Sequence, residues 1–568
     1  MNFSKKNIFV YLLAGGLLIP GCQPTTETAE TPAPILPDAD HGSINVPANF
    51  GAFVVADNLG RGRHLTVSDA GDVYVHLSKE NEDGHAIVAL RDTTGDGRAD
   101  VQEGFQGVSG TGIEIHKGYL YYASSTKIIR TPLPAGSLLP SGPTDTLVTM
   151  VEGRGHMAKT FDFDDKGNMY VNIGSHTNAC METPRTKGSP GIDPCTELDT
   201  RAGIWRFKDD QPGQVQELSL RYATGIRNAV ALTWNKSAGK LYGLQHGRDD
   251  LHNFWPDLFT EAENVEMPAE EFFDIEEGDD FGWPYCFYNP FKNQKLLNPE
   301  YGGDGEKVDR CADKKDPLIG FPGHWAPNDL LFYKGDMFPE KYKNGAFIAW
   351  HGSWNRLGAE QGGFNVSFVP MKDGKPSGVW EIFASGFKGN KPIMSPGDAT
   401  FRPCGLAEGP DGSLYVVDSQ KGRVWRIMYY PEGLPGVKEV SSIAGASADT
   451  TAMDSLLATL TPGEKLYRQN CMACHAENGQ GMPGMNPPLI RTPWVLGEKE
   501  KMISIVLNGF TEPIEIGGET FQNVMGAMNY LKDEDIAKIL TFVRSAWGND
   551  ASEVTAEEVK GVREGLSE

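Results

Sequence analysis

The residues best suited to chemistry are Cys471, Cys474 and His475, spaced as Cys-x-x-Cys-His in "CMACH". At that spacing two thiols fall on one side of a helical turn. There they can add to the vinyl groups of a haem while the adjacent imidazole reaches the iron. A redox Cys-x-x-Cys would call for a βαβ setting, and a zinc site for a second ligand pair nearby; the surrounding sequence offers neither. The motif therefore predicts a covalent haem c held by Cys471 and Cys474, with His475 as an iron ligand.

The other cysteines have different settings. Lys5 and Lys6 precede an apolar run from Ile8 to Ile19, which ends at Pro20-Gly21-Cys22. This has the form of an export signal and is too short for a membrane span. "LIPGC" resembles a lipobox, so Cys22 is expected to carry lipid and residues 1–22 to be the signal peptide. Residues 23–45, rich in Thr, Pro, Glu and Ala, are expected to be a flexible tether. The protein is then exported and anchored to a bacterial membrane through lipid alone, on the periplasmic side. Export implies an oxidising compartment. Cys180 with Cys195 and Cys286 with Cys311 each bracket a loop, so two local disulfides are expected, with crossed pairing left open. Cys404 is left over as a buried thiol. The net charge of −24 excludes nucleic acid as a partner, because like charges repel along the whole approach.

These residues must be positioned by two kinds of architecture. A Gly-containing turn followed by an apolar strand recurs six times: "DAGDVYVHL" at 69–77, "HKGYLYYAS" at 116–124, "DKGNMYVNIG" at 165–174, "SAGKLYGLQHG" at 237–247, "KNGAFIAWHG" at 343–352 and "PDGSLYVVDS" at 410–419. Units of this kind bury their faces against one another around an axis, which predicts an all-β six-bladed propeller over 46–430. The longest gap lies between the fourth and fifth copies, and an insertion of that size is expected to build a binding site. Residues 431–460 read as a linker. A small all-α domain then spans 461–550, opened by Thr461 and Pro462 and closed by an amphipathic helix over 533–549. Residues 551–568 are expected to be a frayed acidic tail.

The segment from "GEKLYRQNCMACH" to "AWGN" resembles class I cytochromes c. That resemblance puts Met525, in "NVMGAMNYL", at the second axial position on iron. Gly526 stands where the family has Pro, which keeps Met528 as an alternative and Met482 and Met485 as weaker ones. Residues 46–430 resemble the PQQ-dependent glucose/sorbosone dehydrogenases, through "GHMAKTFDF", "YATGIRN", "QHGRDD", "HWAPNDLLFY", "WHGSWNR" and "FRPCGLAEGPDGSLYVVDS". The resemblance implies bound PQQ and Ca²⁺. It makes His156 the catalytic base and Arg227 the group that polarises the quinone oxygen. It gives Asn228, His351, Trp354 and Arg402 as PQQ contacts and the carbonyls of Gly247 and Arg248 as Ca²⁺ ligands. Three positions depart from the glucose enzymes. Ser175 replaces an Asp that orients the His, "HGSWNR" replaces a lysine, and His246 replaces a Gln.

The implied activity is oxidation of an aldose, sugar aldehyde or related alcohol, with electrons passing to the chain's own haem and on to an acceptor such as another periplasmic cytochrome. The competing reading is a cofactor-free propeller that binds or docks and carries an electron-transfer cytochrome. The loop "DTTGDGRAD" at 92–100 resembles the start of an EF-hand without its closing Glu, and reads as an acidic turn more readily than as a Ca²⁺ site.

Overall fold

The computed structural model describes residues 35–434 and 461–566, apart from 357–359, 390–392, 394, 472–474, 476–478, 480–486, 511, 513, 517–518, 522–524, 526–527 and 530. Cys22, Cys474, Met482 and Met485 lie outside the described residues.

Six sheets form six blades, antiparallel except where Gln214–Val215 adds in parallel to Asp145–Thr149. Their first strands are Gly62–Val67, Ile113–His116, Phe161–Phe163, Ala231–Asn235, Pro327–Phe332 and Pro403–Glu408. These strands line the axis, and the last packs against the first. Each Gly turn of the sequence repeat joins the first and second strands of a blade; the second strands include Val73–Leu77, Tyr119–Ala123 and Asn168–Ile173. The blades bury large side chains against one another. Phe50, Phe338, Tyr342, Phe347 and Phe383 form one such cluster, with Phe50 and Phe338 edge-to-face at 4.8 Å.

The ring closes with the first strand of the domain, Phe50–Ala56, which pairs with Val424–Tyr429 as the outer edge of blade 6. The sequence places a free tether up to residue 45, but from residue 36 the chain packs with this blade. Ile44 is 3% exposed, Asp38 bonds to the backbone of Ala52 and Val54, and the Trp425 indole donates to the Gly42 carbonyl at 2.9 Å. A single buried Ile with scattered polar clasps has no periodicity to betray it.

In a blade built this way, connections between blades and those from second to third strand share one end of the axis, while the Gly turns lie at the other. The first end collects Cys180–Cys195 and the insertion that follows Lys240–Gln245, which carries helices α1 (Leu251–Phe254) and α2 (Glu261–Glu266). Cys180–Cys195 and Cys286–Cys311 are both disulfides, with S–S distances of 2.06 and 2.07 Å. Cys404 is a buried thiol. The acidic loop satisfies itself: Asp92 accepts from the amides of Thr94, Gly95 and Gly97, and Asp100 from that of Thr93.

The C-terminal domain is helical: α3 (Pro462–Asn470), α4 (Pro493–Leu496), α5 (Lys499–Asn508), α6 (Asp533–Ser545) and α7 (Ala556–Gly565). Helix α6 buries Ile536, Ile539, Leu540 and Val543, the face its sequence periodicity predicts. It crosses α3 closely at Gly463, where a Cβ would come within 2.1 Å of the Lys538 carbonyl oxygen. The expected frayed tail is in fact α7. Thr555 and Glu558 form a reciprocal capping box, Val554 and Val559 are buried in the domain core, and Lys499 and Arg563 pair with Glu558 and Asp533. The acidic residues of this segment cap and pair, which composition alone does not distinguish from solvation.

Candidate active site

His156 lies on the connection between blades 2 and 3, and Arg227 on that between blades 3 and 4. Both reach a cavity of about 460 Å³ at the end of the propeller opposite the Gly turns. Its wall also includes His246, Gly247, Asp249 and Glu270 from the insertion side of blade 4, Arg185 from the stapled loop of blade 3, and Trp354 from blade 5. The main chain can turn through this spot because residue 155 is glycine. Its φ is +81°, and a Cβ there would come within 2.0 Å of the His176 carbonyl oxygen.

The His156 Nδ1 lies 3.0 Å from both the hydroxyl and the carbonyl oxygen of Ser175. The Ser175 hydroxyl donates to the Thr177 carbonyl at 2.7 Å, so toward His156 it accepts. That arrangement places the imidazole proton on Nδ1 and leaves the Nε2 lone pair available. The ring is oriented by a neutral partner in place of a carboxylate. Burial, with Arg227 and His246 nearby, holds its pKa well below the ordinary histidine value. His156 is therefore an unprotonated base throughout the neutral range.

Arg227 is buried. Its guanidinium pairs with Asp249 at 2.9 Å and donates to the carbonyl and side-chain oxygens of Asn178 at 3.2 and 3.0 Å. Burial opposes the charge of Asp249, but the guanidinium groups, Arg227 foremost and then Arg185, outweigh it and hold the carboxyl below its usual range. Arg185 bridges Asp249 and Asp250 at 3.2 and 2.8 Å and lies 5.7 Å from the ring centre of Trp354. The stapled loop is thus tied to the cavity floor through charge. Asn355 completes the shell of Asp249 at 3.0 Å.

Gly247 lines the cavity, and its amide donates to the Glu270 carboxylate at 2.9 Å. The carbonyls of Gly247 and Arg248 accept no hydrogen bond from the described residues. The Gly247 carbonyl, next to buried Glu270, and the Arg248 carbonyl that follows it are oxygens of the kind a hard cation takes, although no cluster of three His, Cys, Asp or Glu that could hold a metal occurs among the described residues. The side chain of Arg248 takes no part, being locked to Glu300 at 2.6 Å.

Three expected contacts are not on the cavity wall. Asn228 is turned into the core, where its side-chain oxygen accepts from Asn172 at 3.2 Å. The Arg402 guanidinium donates to the carbonyls of His351 and Gly352, both at 2.9 Å, and the His351 Nε2 meets the Ser419 hydroxyl at 2.6 Å. Arg402 and His351 instead share a neighbourhood with half-buried Arg63, which acts on both of them and on His246. Arg63 and Arg402 thus add two positive charges near this end of the axis without lining the cavity. Arg63, Arg185, Asp249 and Glu270 were not singled out in the sequence. Asp249 follows directly on "HGR", but the others lie in stretches with no local signal.

In the helical domain, the His475 amide donates to the Cys471 carbonyl at 2.9 Å, which brings the two residues together. The His475 Nδ1 meets the Pro487 carbonyl at 3.0 Å, which turns Nε2 toward an apolar crevice. Met525 and Met528 both line that crevice. The Met525 backbone is fixed by paired bonds with Phe510, each 2.8 Å.

A family model described as TrAA12-like matches residues 44–430, and a cytochrome c model matches 460–547. The holo PQQ domain of a pyranose dehydrogenase from Coprinopsis cinerea is similar in fold, with a TM-score of 0.54 at 20% identity, covering 68% of this chain and 97% of that one. An AA12-family carbohydrate-active enzyme of Trichoderma reesei gives a TM-score of 0.56 at 15% identity, covering 68% and 98%. Cytochrome c-552 of Thermus thermophilus is 42% identical over 111 residues, which is 18% of this chain and 83% of that protein.

Proposed function

The chain belongs to the TrAA12-like family and carries a cytochrome c domain, and from that premise we propose that it is a quinohaemoprotein dehydrogenase. It oxidises the hydroxyl-bearing carbon of an aldose, sugar aldehyde or related alcohol, using PQQ and Ca²⁺ in the propeller cavity. The observation that carries this reading is the oriented, unprotonated His156 facing a cavity it shares with buried Arg227.

When bound, PQQ accepts two electrons from the substrate carbon. The protein's own residues do the rest. His156 takes the hydroxyl proton at Nε2. Arg227, fixed by Asp249, presents positive charge where the quinone oxygen gains electron density. Arg63 and Arg402 supply cationic surroundings for the cofactor's carboxylates. The carbonyls of Gly247 and Arg248, with Glu270 beside them, would hold the cation. Cys471 and Cys474 would hold the haem and His475 would ligate its iron, supplying a one-electron exit to an acceptor such as another periplasmic cytochrome. Cys22 would carry the lipid that keeps the exported chain at its membrane.

The test is to add PQQ, Ca²⁺ and a panel of sugars to the purified protein and follow the haem absorbance. Reduction that needs both PQQ and a sugar is the expected result. His156→Ala should abolish it and leave the haem spectrum intact. No reduction with any combination would overturn the reading and favour a docking role for the propeller.

A further inference from the structure

Lys159 lies three residues beyond the proposed base and is 1% exposed. It has no carboxylate partner among the described ion pairs. Its amine is directed at two main-chain oxygens, those of His156 at 3.4 Å and Met157 at 3.3 Å. The neighbouring buried cation Arg201 behaves alike, donating to the carbonyls of Val151 at 3.2 Å and Gly174 at 3.4 Å. The segment carrying His156 has no regular secondary structure, so neither a helix nor a sheet ladder fixes its peptide planes.

Burying an amine away from any anion is unfavourable whether or not it carries its charge, and an apolar side chain of the same length would fill the space without that cost. We propose that Lys159 is a positioning residue, whose amine clamps the peptide carbonyls of His156 and Met157 and so fixes the direction in which the His156 imidazole leaves the main chain. The His156 amide is held on its other side by the Ser175 carbonyl at 3.1 Å, and the ring by the Ser175 hydroxyl. The base is thus gripped at its amide, its carbonyl and its ring. Burial, with Arg201 as the charged group acting on it, lowers the lysine to about 7. Near neutral pH much of the amine is therefore uncharged and still has two N–H groups to donate.

The catalytic part of this inference rests on the proposed function; the positioning part does not, and the two are tested apart. Histidine-selective ¹⁵N NMR of the full-length haem protein, without PQQ, should show His156 in the wild type as a single Nδ1–H tautomer. Lys159→Met keeps length and loses the donors, and should mix the two tautomers of His156 while the signals of His64 and His76 stay in place. Lys159→Gln keeps an N–H donor and should resemble the wild type. In the loaded enzyme, Lys159→Met should lower kcat about tenfold with KM unchanged, the size of a lost orientation effect. Wild-type His156 signals in Lys159→Met would overturn the proposal. So would perturbation by Lys159→Gln as large as that by Met, or movement of His64 and His76 together with His156. A wild type inactive with every sugar would count against the proposed function, and the NMR comparison would still decide the role of Lys159.

Discussion

Ser175 shows how much a single position can alter the reading of a site. Where the related glucose enzymes are expected to have a carboxylate, this chain has a hydroxyl, and the sequence alone leaves the orientation of the base open. The structure supplies it through Ser175, whose hydroxyl is itself committed to the Thr177 carbonyl. A neutral partner orients the ring without stabilising an imidazolium, and two consequences follow. Ser175→Ala should leave the His156 Nδ1 with the Ser175 carbonyl alone and lower kcat about 10- to 100-fold. Ser175→Asp should put a negative charge beside Nδ1, raise the His156 pKa and move the acid limb of the kcat/KM profile to higher pH. An unmoved limb would show that Ser175 does not face the working base. In the haem domain the equivalent question is the sixth ligand, since Met525 and Met528 both line the crevice. Met525→Ala should abolish the charge-transfer band that a sulfur ligand gives to ferric haem, and Met528→Ala should leave it.

The sequence declares some elements and conceals others. The six Gly turns are visible because each is a local device repeated at each blade, and they mark the end of the propeller away from the cavity. The site end consists of connections, whose lengths and partners are set by tertiary contacts. This explains why His156 and Arg227 are recognisable by their motifs while Arg185 and Glu270 are not. Arg185 reaches Asp249 from the loop that Cys180–Cys195 closes, and Asn228, His351 and Arg402 sit near the motifs but not on the cavity wall, their side chains bonded to Asn172, to Ser419 and to the carbonyls of His351 and Gly352. Helix α7 was concealed for the opposite reason, its charges hiding two buried valines. Deleting residues 551–568 takes Val554 and Val559 out of the domain core, uncovers the apolar side chains they pack against, and removes the partners of Lys499 and Asp533. Burial of two valines corresponds to about 3 to 5 kcal/mol. The truncated chain should therefore melt its haem domain several degrees lower, with the propeller transition unchanged in calorimetry.

At the scale of the whole molecule, the propeller interior holds two sets of titratable groups that pull stability in opposite directions with pH. Burial depresses His64 to about 3 and His76 to about 4, and lowers His156, His324 and His351 as well. Each of these stays neutral in the fold but takes a proton in the unfolded chain once the pH drops below the ordinary histidine value of about 6.5. The unfolded state then binds more protons, and stability is lost as pH falls from there toward about 4. In the axial channel, burial raises Asp329 to about 8 and, with Asp162 adding to it, also raises Glu114. These two are protonated in the fold at pH values where the unfolded chain has released them, so their contribution falls as pH rises toward 8. On the acid side these imidazoles, joined by His246 at about 4, outweigh the carboxyls; above 6.5 the carboxyls dominate, with Glu270, also raised to about 8, acting with them and Lys159, lowered to about 7, opposing them. Thermal unfolding followed across pH 4 to 9 should therefore peak between about 6 and 7, with the steeper fall on the acid side. Asp329→Asn should flatten the alkaline fall and, by removing a contribution that opposes the imidazoles, make the acid fall steeper. An alkaline slope untouched by that substitution would show that the axial carboxyls are not the groups being titrated.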